Sequence, residues 1–178
     1  ATHALPAEID AVARSGAGVV LCPSTEANLG DGLADLPHWM DSGTALSIGS
    51  DSHVCRAWPE ELRWLEYGQR LMQRRRNMAA AAPAPAMFER MLHGGAAAAG
   101  FTSWGLKVGA RADLLVLDPH TPGLQGLPNS HTLDGLVFAT HAPAFCQTWV
   151  AGQRVRVSAD VAQRFEQTMQ ALWPGNAG

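Results

Sequence analysis

At 178 residues, with 47% apolar and 16% charged content, the chain has the composition of a folded globular protein and enough length for one ordinary core or two small ones. A net charge of −3 supplies no general attraction to nucleic acid or to an anionic membrane. No apolar run approaches the roughly 20 residues that a bilayer-spanning helix needs, so a soluble protein acting on a small molecule is expected.

The chain opens at Ala1-Thr2-His3, with neither a methionine nor a charged-then-apolar leader, and is expected to be the later part of a longer protein. Pro6 to Ser15 then suits a short helix. Ile9, Val12 and Ala13 share a face, Glu8 and Asp10 occupy the first turn, and Gly16 ends it. Gly18-Val19-Val20-Leu21-Cys22, closed by Pro23, is a continuous apolar run of the kind that forms a doubly buried strand. A second helix is expected over Leu36 to Ser42 and a second strand over Ala45 to Ile48. Helix, strand, helix, strand is the pattern of a parallel α/β sheet, in which each crossover needs a helix.

The second apolar run ends in Gly49-Ser50-Asp51-Ser52-His53. In barrels of parallel strands the reacting groups sit where strands end, because the backbone there is rigid and faces the open pocket. Asp51 is therefore the first candidate for chemistry, against the ordinary use of aspartate as a turn or cap residue. After a loop, Pro59-Glu60-Glu61 opens a long helix, its acids suited to the exposed N–H groups of the first turn. Leu62, Leu65, Leu71 and Met72 supply its apolar stripe, and Arg74-Arg75-Arg76 closes it as solvated surface. Ala79 to Ala86 is expected as a connector into a helix over Met87 to Ala99, which Gly94-Gly95 weakens.

From Trp104 the period changes. Short strands are expected at Leu106 to Gly109, Ala112 to Pro119, Gly135 to Phe138 and Gln147 to Val155, with a hairpin at Ala151-Gly152-Gln153. A terminal helix is expected over Asp160 to Trp173, and a domain boundary is placed near Thr102. Cys22, Cys55 and Cys146 are odd in number and widely spaced, which fits a reduced cytoplasm and small buried hydrophobes better than a disulfide or zinc framework. Trp58 and Trp64 are expected to pack against helices. His93, His120, His131 and His141 lack ligand spacing.

Four segments together resemble the amidohydrolase superfamily: Cys22 to Gly32, Gly49 to His53, Glu60 to Leu71, and Gly109-Ala110-Arg111-Ala112-Asp113-Leu114. The last of these, with Val150-Ala151-Gly152-Gln153-Arg154-Val155, is shared widely in the superfamily. Thr25 to Gly32 and Glu61 to Gly68 are more particular and resemble its formimidoylglutamate deiminase subfamily. The likeness covers nearly the whole chain.

The resemblance implies the C-terminal portion of a metal-dependent hydrolase (β/α)8 barrel over residues 1–102, followed over 103–178 by part of a small β-sandwich domain and a terminal helix. It implies one divalent metal ion, usually zinc, and places Asp51 as a ligand that also takes a proton from the metal-bound water. Zinc lowers the pKa of bound water to about 7, so a neighbouring carboxylate can accept that proton. The implied reaction is hydrolysis of N-formimino-L-glutamate to N-formyl-L-glutamate and ammonia in histidine degradation.

The family's remaining ligands, a His-x-His pair and a further histidine, and its proton-shuttling glutamate fall before Ala1, so the chain is expected to need the N-terminal part of its own protein and to be inactive alone. His3 lies beside the family's strand-six histidine position and is either a neighbour of the site or a structural histidine. Glu26 and Asn28 either line the pocket rim or cap and order a loop. Ser52 and His53 either order the site loop or make local turn hydrogen bonds. The family commonly dimerises. Another superfamily deaminase or chlorohydrolase, or a non-catalytic remnant, are the competing readings.

Overall fold

The computed structural model describes residues 1–51, 55–141 and 144–173. Helix α1 (Pro6–Ser15) starts on proline. The Glu8 carboxyl reaches back to accept the Leu5 N–H at 2.8 Å, and Gly16, in the left-handed region at φ +73°, ends the helix. Strand β1 (Gly18–Leu21) pairs in parallel with β2 (Ala45–Ile48), with Gly18 opposite Ala45 and Leu21 opposite Ile48. Between them lie α2 (Pro23–Leu29) and α3 (Leu36–Asp41), the latter capped by the Asp35 side chain. Helix α2 was not expected from the residue pattern. Pro23 does end the strand, and it also occupies the first turn of a helix, where its missing N–H costs nothing.

One surface contact joins α1 to α3. His38 Nε2 lies 2.9 Å from Asp10 Oδ1, and this hydrogen bond raises the imidazole pKa above its ordinary value of 6.5. A raised folded-state pKa means that the stabilisation is complete below about pH 6.5 and is lost as pH rises through the raised value. Melting of the wild type and of His38→Gln should therefore differ at pH 6 and converge at alkaline pH. A constant difference across that range would remove the ion pair as its cause.

Helix α4 (Trp58–Gln73) buries Leu62 and Leu65, but Leu71 and Met72 are exposed. The expected stripe turns away from the core in the second half of the helix, where Glu66, Gly68 and Gln69 are buried instead. Glu66 is fully buried and satisfied. Its carboxyl oxygens accept from Arg70 Nε at 2.7 Å, Met78 N at 3.0 Å and Ala79 N at 2.9 Å, so it ties the turn after α4 back onto the helix. Trp58 packs on Phe88 and Phe145, with ring centroids 5.0 and 6.1 Å away. Trp64 is exposed and not a packing aromatic.

Helix α5 (Pro83–Ala98) begins inside the stretch expected as a connector, because prolines fit a first helical turn. Its Gly94 lies against the backbone of β2. A Cβ added there would stand 1.8 Å from the Leu46 carbonyl oxygen. The glycine that weakens the helix in isolation is what lets it lie on the strand. Ile9, Leu21, Trp39, Leu46, Leu62 and Met87 form the buried cluster around this contact.

Beyond residue 102, Leu106 to Gly109 forms turns rather than a strand, with Leu106 and Val108 exposed. Strand β3 (Leu114–Leu117) pairs antiparallel with β4 (Phe145–Val150), and β4 pairs with β5 (Gln153–Arg154). The expected hairpin is present. Ala151 and Gly152 both have positive φ, +50° and +76°, the backbone of a type I′ turn. Asp113 Oδ1 accepts the Ala151 N–H at 2.7 Å, so one acid of the Gly109 to Leu114 motif fixes the hairpin turn.

Gly135 to Phe138 is not a strand. One helical turn, α6 (Thr132–Asp134), runs into a π-helical turn over Gly135–Ala139, and Val137 joins the same cluster as Leu62. Arg63 Nε donates to Val137 O at 2.5 Å and Arg63 Nη2 donates to Thr140 O, so α4 ties down the carbonyls of this turn. Helix α7 (Val161–Leu172) closes the described chain. Helix and strand content together make an α/β protein, with the parallel pair before residue 102 and the antiparallel sheet after it.

Candidate active site

The ends of β1 and β2 lie side by side, and the segments leaving these two strand ends form the candidate site. After β2 the ladder continues by one bond, Gly49 N–H to Leu21 O at 3.0 Å. A side chain at Gly49 would meet Val20 Cγ1 at 3.2 Å and Cys22 Sγ at 3.5 Å, so this position sits tight against the end of β1. The chain then turns, and Asp51 is exposed with φ +48°. A non-glycine residue there is uncommon, aspartate being among the types that tolerate it. The Ser50 carbonyl accepts from Thr25 Oγ1 at 2.9 Å.

After β1, Cys22 leads into α2. Burial pushes the Cys22 thiol pKa up, and the neighbouring charges of Asp51, Glu26 and Glu61 push it further. The shift disfavours the Cys22 thiolate, the form that acts as a nucleophile. Burial likewise raises the Cys55 thiol. Cys22 and Cys55 are half-buried and Cys146 is exposed, so the expectation of buried cysteines holds in part for the first two and is corrected for Cys146.

Of the other candidates, Glu26 is half-buried and Asn28 exposed, both on α2. His3 is exposed in the turn before α1. Ser52 and His53 lie outside the described residues. Residue patterning alone missed Glu61, which is 2% exposed. Its carboxyl turns away from its own helix and accepts from Ser24 N at 3.0 Å and Ser24 Oγ at 2.5 Å. A proline-led Ser-Thr pair was the available hint of a helix start at residue 23, and nothing local pairs it with an acid 37 residues away.

The match to the family model described as "Amidohydrolase family" runs over residues 1–155. The chain belongs to the amidohydrolase family. It is 47% identical over 159 residues to the formimidoylglutamate deiminase of Pseudomonas aeruginosa, an alignment that covers 87% of this chain and 35% of that protein. The crystal structure of an amidohydrolase from Brucella melitensis superposes with a TM-score of 0.87 at 38% identity, over 97% of this chain and 40% of that one. A Xanthomonas campestris adenosine deaminase with bound zinc superposes at TM-score 0.79 and 26% identity, over 95% of this chain and 40% of that one. The chain thus spans about a third of the length of the curated deiminase.

A zinc site needs at least three protein ligands. Among the described residues no group of three histidine, cysteine, aspartate or glutamate side chains is placed to hold a metal. Asp51 supplies a single carboxylate at the strand ends, and these residues do not make a metal centre by themselves.

Proposed function

We propose that these residues are the C-terminal part of an enzyme that hydrolyses the formimino C–N bond of N-formimino-L-glutamate. Water adds its oxygen to the formimino carbon, the nitrogen leaves as ammonia, and N-formyl-L-glutamate remains. The carrying observation is the 47% identity to the Pseudomonas aeruginosa deiminase over 87% of the chain. In this reading the product enters histidine degradation, residues 1–102 are the end of a (β/α)8 barrel, and 103–178 belong to a β-sandwich domain with a terminal helix. Asp51 is the catalytic carboxylate and one ligand of a divalent metal, zinc by analogy with the adenosine deaminase neighbour, the other ligands coming from outside these residues. Glu26, Asn28 and His3 serve the substrate pocket or its support in this reading, a role it also gives to Ser52 and His53.

The net charge of −3 gives no general attraction to nucleic acid or to an anionic membrane, and in this reading the partner is a small molecule. A homodimer in the cytoplasm is the expected state. Among the described residues no helix is long and apolar enough to cross a membrane. The second reading, a deaminase of a heterocyclic amidine, is favoured by the adenosine deaminase likeness.

Ammonia release separates the two. The product of the full reading frame, supplied with zinc, should release ammonia from N-formimino-L-glutamate and not from adenosine, and residues 1–178 alone should release none. Turnover of adenosine instead would transfer the assignment to the second reading.

A further inference from the structure

We propose that Glu61, Ser24 and Thr25 are positioning residues, a buried brace through which α4 and α2 set the peptide that carries Asp51. The contact that matters is between Thr25 Oγ1 and Ser50 O, at 2.9 Å. That carbonyl belongs to the peptide unit joining Ser50 to Asp51. Its orientation is coupled to the Asp51 φ of +48°, a left-handed value that aspartate tolerates but that is uncommon outside glycine and is favoured when neighbouring contacts hold it. Among the described residues the β-ladder does not hold it, since the last inter-strand bond lies one step earlier at Gly49.

Thr25 can act as an anchor only if it is itself fixed. Cys22, the residue before α2, offers no side-chain cap. Glu61 takes that role from another helix, receiving both the Ser24 N–H and the Ser24 hydroxyl. Ser24, Thr25 and Glu61 are 4%, 6% and 2% exposed, so solvent is poorly placed to replace any of these bonds. A broken link leaves a buried polar group unsatisfied, which makes the arrangement close to all-or-none. The connection runs from Glu61 through Ser24 and Thr25 to the Ser50 carbonyl, and it reaches the reaction only through Asp51. It therefore matters for turnover only under the deiminase reading above.

The test compares Thr25→Val with Thr25→Ser in the enzyme from the full reading frame. Valine keeps the shape and loses the hydroxyl, whereas serine keeps the hydroxyl and loses a methyl. If Thr25 merely filled space, serine would be the worse variant. If it braces the peptide, valine is. Thr25→Val should lower kcat about tenfold or more with KM within about twofold, because misplacing a reacting group costs rate rather than binding. Thr25→Ser should stay within about threefold of wild type.

Amide hydrogen exchange of the peptide over residues 45–51 should quicken in Thr25→Val and not in Thr25→Ser. If Thr25→Val loses its cooperative melt, Ser24→Ala replaces it, with the same expected directions at smaller amplitude. A wild-type enzyme silent on N-formimino-L-glutamate would remove the substrate reading and leave the exchange comparison to decide the brace. Unchanged exchange in Thr25→Val, or a serine variant worse than the valine one, would overturn it.

Discussion

Gly94→Ala is expected to destabilise the protein severely, whereas Gly95→Ala, one residue on in the same helix, is expected to leave it as stable or slightly more so. Alanine is the better helix former by about 1 kcal/mol at either position, so propensity alone predicts two mild gains. The surroundings decide otherwise. A Cβ at Gly94 would stand 1.8 Å from the Leu46 carbonyl oxygen and 2.4 Å from the Leu46 carbonyl carbon, while at Gly95 the nearest atom is Ser47 Cβ at 3.9 Å.

Carbon and oxygen settle at about 3.3 Å, so α5 would have to lift from β2 by roughly 1.5 Å. The obstacle is backbone on the strand side and helix axis on the other, and neither can swing aside as a side chain would. Overpacking usually costs about 1–3 kcal/mol where side chains can yield, and here at least the upper end applies. The helix propensity gain is outweighed, and melting should fall by about 5 °C or more. Thermal unfolding of the two variants side by side is the check, and equal melting temperatures would mean that α5 does not approach β2 at this point.

Gly94 also shows what sequence does and does not reveal. Two glycines in a helical stretch are visible as a local weakness, but the strand that requires one of them lies almost fifty positions earlier in the chain. The elements that were legible have local causes. Pro6, Glu8 and Gly16 bound α1 by their own chemistry, the runs Gly18–Leu21 and Ala45–Ile48 are largely apolar, and Ala151-Gly152 carries the conformations that its turn demands.

What escaped depends on distant partners. Gly135–Phe138 has the composition of a strand, yet it packs on α4 as a π-helical turn whose carbonyls Arg63 satisfies from a separate helix. Leu106 to Gly109 alternates like a strand but forms none. The site divides the same way. The position of Asp51 just past a strand end was legible because an apolar run followed by a carboxylate is a local pattern, while Glu61 looked like a first-turn acid of its own helix and serves the start of another.

Asp51→Asn is expected to reduce turnover about a thousandfold, within the range of about 10²–10⁴ that a positioned proton acceptor contributes. The substitution is nearly isosteric, and asparagine accepts positive φ as readily as aspartate, so the turn at φ +48° and the melting temperature should be unchanged. What is lost is the capacity to take a proton, since an amide remains neutral. Glu26→Gln, on α2 beside the same strand ends, should be far milder. Steady-state ammonia release with matched thermal melts measures both. Retained activity in Asp51→Asn would remove this carboxylate from the chemistry, and a lowered melt would assign its role to the turn.

The double variant with Thr25→Val carries the reasoning one step further. If the brace acts on the reaction only through Asp51, adding Thr25→Val to Asp51→Asn should cost almost nothing more, although alone it costs about tenfold. Independent losses would instead multiply, and Thr25 would then have to influence catalysis by some path other than the peptide it holds.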